Sequence, residues 1–261
     1  MKISILISSY NKGKYLKQCI ESCCQQDTDD FEIILFDNFS SDETDEILEE
    51  FSEKINFYKN NRISKYSAIN QIDLLKRGFS KSSGEIICLL DADDYFKINK
   101  IKKIRDFFEK NETKNIVFDL PIIKKGKIEK NFKFHKKLTN NLWSTIIPTS
   151  SISFRRDFFE ELIKNNLLEK YDLLEIDFRI NVYANVIKDE LNLLNDSLNV
   201  YMQTENSIMS NHKKFSPYWW KRRLQAHKFM KEVYLIKNMS YYNIDFFFTK
   251  ILVNIFNFLK L

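Results

Sequence analysis

Glycine and proline are scarce in this chain, with four and three copies in 261 residues. Such a composition excludes collagen-like repeats, Gly/Ser linkers and Pro-rich disordered segments. It also leaves no Gly-x-Gly-x-x-Gly loop for a dinucleotide and no P-loop. Histidine is as scarce as proline, and the four cysteines, Cys19, Cys23, Cys24 and Cys88, show no Cys-x-x-Cys spacing. Neither a zinc site nor a disulfide framework is expected. Cys19 and Cys23 stand four apart on a predicted helix and read as small core residues. No apolar run reaches the length of about 18 residues that a membrane span requires. The N-terminal apolar run is short and broken by Asn11 and Lys12, which argues against a signal peptide. A reducing, cytoplasmic setting is the expectation.

What is present is a chain that is 44% hydrophobic with a net charge of +5. The length and apolar fraction support a sizeable core in a long single domain or in one domain with an appendage. The modest positive charge suits an anionic substrate or membrane surface and is weak evidence for nucleic acid. Lys2–Ile7, Phe31–Phe36, Ile55–Tyr58 and Glu85–Leu90 read as strands, too short and too rich in β-formers for helices. Helical patterns lie between them, at Tyr15–Gln25, from Ser40 to Phe51, and at Ser67–Ser80. This strand–helix alternation predicts an α/β fold: a mostly parallel sheet flanked by helices. The second half is less regular. A strand is expected at Asn115–Phe118, a tight basic turn at Lys124–Lys127, helices at 157–164 and 175–187, a strand within 191–200, and two helical segments from Pro217 onward.

The stretch Leu89-Leu90-Asp91-Ala92-Asp93-Asp94 places three carboxylates at the end of a buried strand. Burying a carboxylate costs several kcal/mol unless it is paired or metal-bound. A hard divalent cation such as Mg²⁺ or Mn²⁺ would remove the mutual repulsion. Two other polar turns, Ser8-Ser9-Tyr10 and Asp37-Asn38, end earlier strands. In a parallel sheet all three share the carboxyl edge, where open α/β sheets bind ligands. An aromatic ring, a buried carboxylate and an acidic metal cluster in one pocket suit a nucleoside diphosphate.

Three segments carry a family resemblance. Ile3-Ser4-Ile5-Leu6-Ile7-Ser8-Ser9-Tyr10-Asn11 resembles the opening strand and P-T-Y-N turn of family 2 glycosyltransferases, with Ser8 at the usual proline. Glu32 to Thr44 resembles E-I-I-V-V-D-D-G-S-T-D-x-T, and Gly84 to Asp94 resembles G-E-Y-I-x-F-L-D-A-D-D. All three stand in family order at family spacing. The resemblance implies a GT-A fold and inverting transfer of a sugar from a nucleotide donor, a UDP-sugar in the simplest case, to a glycan or lipid-linked acceptor in surface polysaccharide or lipooligosaccharide synthesis. It implies that Ser8, Tyr10, Asn11, Asp37, Asn70, Asp91 and Ala92 surround the nucleotide. Asp91 and Asp93, with Asp94 beside them, would hold Mn²⁺ or Mg²⁺. The general base would come from Leu174-Glu175-Ile176-Asp177. Asp177 is the preferred residue and Glu175 the alternative, because Arg179 is badly placed to pair with Asp177. The family's Y-R-x-H segment appears as Tyr201-Met202-Gln203-Thr204, so the Arg and His are missing. Arg155, His212 or Lys213 are candidate substitutes.

The expected organisation is a GT-A domain over 1–211, with a nucleotide-binding half at 1–94 and an acceptor-side half at 95–211, followed by an aromatic and basic helical extension at 212–261. That extension fits either an interfacial segment on anionic lipid or a helix packed on the core or a dimer partner. Two rival functions stand beside glycosyl transfer. A non-catalytic glycan-binding or scaffold protein on a decayed fold would fail to turn over a nucleotide sugar. A sugar nucleotidyltransferase would carry a Gly-rich, cationic loop at Ser8–Lys14, which this chain lacks.

Overall fold

The computed structural model describes residues 1–134, 146–188, 191–204 and 213–259. In chain order the N-terminal half runs β1 (Ile3–Ser9), α1 (Gly13–Cys24), β2 (Phe31–Asp37), α2 (Thr44–Glu50), β3 (Asn56–Lys59), α3 (Ser67–Lys81) and β4 (Ile86–Asp91). It continues with β5 (Tyr95–Phe96), α4 (Lys100–Lys110), β6 (Ile116–Asp119), β7 (Ile122–Lys125), β8 (Ile128–Asn131), a 3₁₀ turn at Thr149–Ser151, β9 (Ile152–Arg155), α5 (Arg156–Lys164) and α6 (Ile176–Val186). The last elements are β10 (Leu193–Leu194), β11 (Asn199–Met202), α7 (Pro217–Ile236) and α8 (Ile244–Phe258).

The main sheet has seven strands in the order β10-β6-β9-β4-β1-β2-β3. All its pairings are parallel except those of β9, which runs antiparallel to β4 and β6. Alternate residues of each strand enter opposite cores. Ile3, Ile5, Ile7, Ile33, Leu35, Ile86, Cys88 and Leu90 face α1, α2 and α4. Leu6, Ile34, Phe36, Ile87 and Leu89 face α3, α5, α6 and α7. Covering both faces explains the near-continuous apolar strands. Cys19 and Cys23 are buried on α1, as expected, and all four cysteines are free thiols.

Several elements were not anticipated. Seven of the eleven residues of α4 are charged, which hides the Ile101, Ile104, Phe108 stripe that it buries. A second sheet, β5-β11-β7-β8, is built from strands of two to four residues. Their lengths are below what period-two patterning resolves. The basic turn at Lys124–Lys127 is the tip of its β7–β8 hairpin, with Gly126 at φ +58°. Gly84 is required for a different reason. A Cβ there would stand 2.5 Å from the Ser4 amide nitrogen, where β1 and the entry to β4 touch.

Beneath the acidic turn lies a fully buried ion pair. Lys100 Nζ donates to Asp119 Oδ2 at 2.5 Å and to the Ser150 carbonyl at 2.8 Å, and both side chains are 0% exposed. Asn199 Nδ2 donates to Asp119 Oδ1 at 2.7 Å. The Ser150 hydroxyl donates to Asp94 at 2.5 Å and accepts from the Asp91 amide at 3.1 Å. Breaking such a pair strands a buried charge. Lys100→Met should lower the unfolding free energy by about 3–5 kcal/mol, measured by urea denaturation. The double variant Lys100→Met/Asp119→Leu should recover much of that loss.

Candidate active site

A cleft of about 750 Å³ opens at the carboxyl edge of β1 and β4. Of the expected contacts, Ser8, Tyr10, Asn70, Asp91, Ala92, Asp93, Glu175 and Asp177 line it. Residues about 170 apart in sequence thus meet in one wall, because α6 packs beside α3. The Tyr10 ring is half exposed and covered by the Arg62 guanidinium, 4.4 Å from its centroid. Asn70 is buried and its amide holds the loop before α3, accepting from the Ile63 and Ser64 amides and donating to the Ser64 carbonyl.

Three other expected contacts are not among the residues that line it. Asp37 is fully buried, and its two oxygens accept from the Ser40 amide at 2.7 Å and hydroxyl at 2.6 Å. Asn11 sits at φ +50° and accepts from the Ser41 amide at 2.9 Å, joining the first two turns. Asp94 accepts from Ser150 and from the Met202 amide at 2.8 Å, and burial pushes its carboxyl well above the usual range. In these contacts the three residues hold the turns together. Phe39, at the position where the family motif has glycine, adopts φ +53°.

The acidic turn offers Asp91 and Asp93. Asp91 accepts from Gln71 Nε2 at 2.6 Å and, weakly, from the Ser8 hydroxyl at 3.4 Å. Burial, and then the Asp93 charge, raise its carboxyl to about 6. Asp93 is paired with Lys12 at 2.5 Å and accepts from the Thr204 hydroxyl at 3.3 Å. Among the described residues no group of three or more His, Cys, Asp or Glu is arranged to hold a metal. Two carboxylates and a hydroxyl form an oxygen donor set that fits a hard cation completed by substrate phosphates. The Ser9 hydroxyl, also on the wall, is buried without a partner among the described residues.

Opposite stands the second carboxylate pair. Glu175 is clamped by Arg222, whose guanidinium reaches it at 3.2, 3.1 and 2.5 Å. Asp177 accepts from the Phe178 amide at 2.6 Å. Burial first, then Glu175, push its carboxyl up to about 7. Arg179 spends its guanidinium on the carbonyls of Leu174, Leu167 and Tyr171, so it does not pair with Asp177, as anticipated.

Cations and aromatics from the C-terminal segment complete the wall. Lys214, Trp219 and Arg222 line the cleft. Sequence reasoning assigns this segment outside the catalytic unit. Yet Ala226, Phe229, Met230 and Val233 of α7 join the same buried cluster as α6. The signal available in sequence is Arg222 within the basic run after Trp220. Of the candidate substitutes for the missing Arg and His, Arg155 is bound to the Lys114 and Phe108 carbonyls, away from the cleft. His212 and residues 205–210 lie outside the described residues. Met202 and Gln203 do line the cleft.

A parallel sheet with an acidic turn at its carboxyl edge, a second small sheet and a carboxylate pair across the cleft define the GT-A class, and solved structures agree. The chain overlays residues 1–349 of Staphylococcus aureus TarS in complex with UDP-GlcNAc with a TM-score of 0.66, at 18% identity over 88% of this chain and 66% of that one. A mannosyltransferase from Pyrobaculum calidifontis in complex with GDP-Man and Mn²⁺ gives a TM-score of 0.54 at 11% identity, over 91% of this chain and 64% of that one. The family model for glycosyl transferase family 2 matches residues 4–163, and the chain belongs to that family. An uncharacterised glycosyltransferase of Nostoc sp. is 29% identical over 175 residues, 62% of this chain and 53% of the relative. The Streptococcus pneumoniae glycosyltransferase GlyG is 34% identical over 106 residues, 39% of this chain and 33% of the relative. The chain therefore spans about half, or less, of the length of these two.

The raised carboxyl of Asp177 has a stability consequence. The folded state holds a proton there up to about pH 7, whereas an unfolded Asp releases it near pH 4. The native state binds more protons across that window, so this group's contribution falls as pH rises through it. Asp177→Asn should therefore melt higher than the parent at pH 7.5, and the difference should shrink as pH falls toward 4, read by differential scanning calorimetry.

Proposed function

We propose that this chain is an inverting, metal-assisted glycosyltransferase. It takes a sugar from a nucleotide-diphosphate donor of the UDP-sugar class and places it on a hydroxyl of a glycan or lipid-linked acceptor in surface polysaccharide or lipooligosaccharide synthesis. The observation that carries this reading is the pairing of two carboxylate sets across one cleft. One set faces a cationic, aromatic nucleotide wall; the other contains Asp177, a base near neutrality. The UDP-GlcNAc seen in TarS supports the donor class.

In this reading Tyr10, backed by Arg62, stacks the nucleobase, and Lys12 and Lys214 face the diphosphate. A divalent ion held by Asp91 and Asp93, Mn²⁺ or Mg²⁺, would supply charge neutralisation on the leaving diphosphate. Asp177 accepts the acceptor hydroxyl proton as that oxygen attacks the anomeric carbon. The bond from that carbon to the phosphate oxygen breaks, and its electron pair departs with the nucleoside diphosphate. Arg222 offsets part of the Glu175 charge and so limits how far that charge raises Asp177, leaving it a base near neutrality. Peripheral association with the inner face of the cytoplasmic membrane belongs to the same reading. Met202 and Thr204, in place of the family's Arg and His, favour one second reading, a sugar-nucleotide-binding protein without turnover. Donor hydrolysis by the parent chain separates the two.

Nucleotide binding should depend on metal. UDP with Mn²⁺ should stabilise the protein by about 2.7 kcal/mol at a hundred times the dissociation constant, seen as a thermal shift. UDP in excess EDTA should not, and Asp93→Ala should abolish the shift with the fold intact. Equal stabilisation in EDTA would contradict the metal role.

The base should separate from binding. Asp177→Asn should keep UDP affinity and lose transfer, or donor hydrolysis, by about 10²–10⁴-fold. The parent's kcat/KM should rise with pH along an acid limb centred near 7, the value to which Asp177 is raised. Glu175→Gln, by removing a neighbouring negative charge, should move that limb to lower pH. An unshifted limb in Glu175→Gln and full activity in Asp177→Asn would place the base elsewhere.

A further inference from the structure

Among the described residues no helix is long and apolar enough to cross a membrane. Ten of the fifteen residues of α8 are nonetheless apolar, more than one buried helix face requires. The structure shows which side is covered. Thr249 and Val253 are buried against α7, and Asp245 in the first turn is held by Arg223 and by His227 Nε2 at 2.8 Å. The opposite face presents Ile244, Phe247, Phe248, Ile251, Ile255 and Phe258, spaced as neighbours on one helical stripe. Ile244 is 77% exposed, Phe247 65% and Phe258 86%. A contiguous apolar stripe of this kind marks an interaction surface rather than the scattered hydrophobes of an ordinary monomer surface.

Charge identifies the occupant. Residues 213–259 carry nine Lys and Arg against two acids, Glu232 and Asp245. Both acids are consumed internally, Glu232 by Lys170 and Tyr171, and Asp245 by Arg223 and His227. The whole chain has a net charge of only +5, so the positive charge concentrates in the segment that bears the stripe. Lys228, Lys231 and Lys250 are exposed there. An identical copy would oppose like charge to like charge, whereas anionic headgroups complement it.

We propose that the outer face of α8 is a bilayer-docking surface, its Phe and Ile side chains inserted at the headgroup boundary and the exposed lysines of the same C-terminal segment on anionic lipid. The inference deepens the peripheral-membrane part of the proposed function and rests on it for its biological meaning. Its geometry bears on the acceptor. Arg223, which ties α7 to α8, covers the Trp219 ring at 5.2 Å, and Trp219 lines the cleft. The docked face is thus anchored to the helical turn that walls the site, which suits an acceptor presented at a membrane surface.

The test is vesicle co-sedimentation of the full chain, without nucleotide sugar, so that its failure leaves glycosyl transfer untouched. Vesicles of phosphatidylcholine alone and of phosphatidylcholine with phosphatidylglycerol are compared. The parent should sediment with the anionic vesicles and be released progressively by salt. Lys228→Gln and Lys231→Gln should each weaken partitioning about fivefold. Phe247→Ser/Phe248→Ser, at exposed positions, should weaken it at least about tenfold while leaving the melting temperature and the UDP–Mn²⁺ thermal shift unchanged. A parent that stays in the supernatant with anionic vesicles would overturn the proposal. So would a Phe247→Ser/Phe248→Ser variant that still binds vesicles as the parent does. A parent that is dimeric by light scattering, made monomeric by that variant and indifferent to vesicles, would assign the face to a second copy and overturn it equally.

Discussion

The buried pair between Lys100 and Asp119 is the constraint on which the site depends. It joins α4 to the end of β6, and through the Ser150 carbonyl and Asn199 it gathers the 3₁₀ turn and β11 into the same knot. The Ser150 hydroxyl then reaches up to the Asp91 amide and the Asp94 carboxylate. A charge this deep tolerates only a narrow geometry, because its desolvation is offset only when every partner is in place. The acidic turn inherits that rigidity. Asp94 is spent on anchoring, and Asp91 and Asp93 are left on the cleft wall.

Above the knot, each of the two carboxylate pairs on the cleft is divided by its surroundings. In each pair one member takes a cation: Asp93 has Lys12 and Glu175 has Arg222. The other member, Asp91 or Asp177, is buried beside a negative neighbour and driven up toward neutrality. The two pairs face one cleft but sit in different surroundings. Asp91 lies beside the Ser8 and Gln71 donors at the strand end, and Asp177 heads a helix walled by α7. The same elementary electrostatics, burial first and a negative neighbour second, therefore raises both carboxyls.

The C-terminal helices serve two ends. α7 belongs with the body of the cleft, since its apolar residues complete the core beside α6 and its polar edge supplies Arg222 and Trp219. α8 is fixed to it by the cluster of Arg223, His227, Asp245 and Tyr241, with the imidazole fully buried and bonded on both nitrogens. Burial lowers the His227 pKa despite the Asp245 carboxylate beside it. The boundary expected near residue 211 falls outside the described residues, and the chain from Pro217 onward is continuous with the core.

Much of this is legible in the chain itself. The short apolar strands, the helices between them and the polar turns at the strand ends specify a mostly parallel sheet, because a strand apolar along its whole length must be covered on both faces. The turns at Ser8–Tyr10 and Asp91–Asp93, and their family resemblance, locate the cleft wall, and Asp177 stands out because Arg179 is misplaced to pair with it. What only the tertiary structure decided is which charged group meets which. Arg222 finds Glu175 from 47 residues away, Lys12 finds Asp93 from 81, and Asp37, Asn11 and Asp94 turn to holding loops together. Coulomb and desolvation energies depend on distance and burial in the folded state, neither of which is written in local periodicity. The same reason separates the two sides of α8: its apolar residues outnumber what one buried face needs, and only the docking of Thr249 and Val253 against α7 leaves the Phe and Ile stripe facing out.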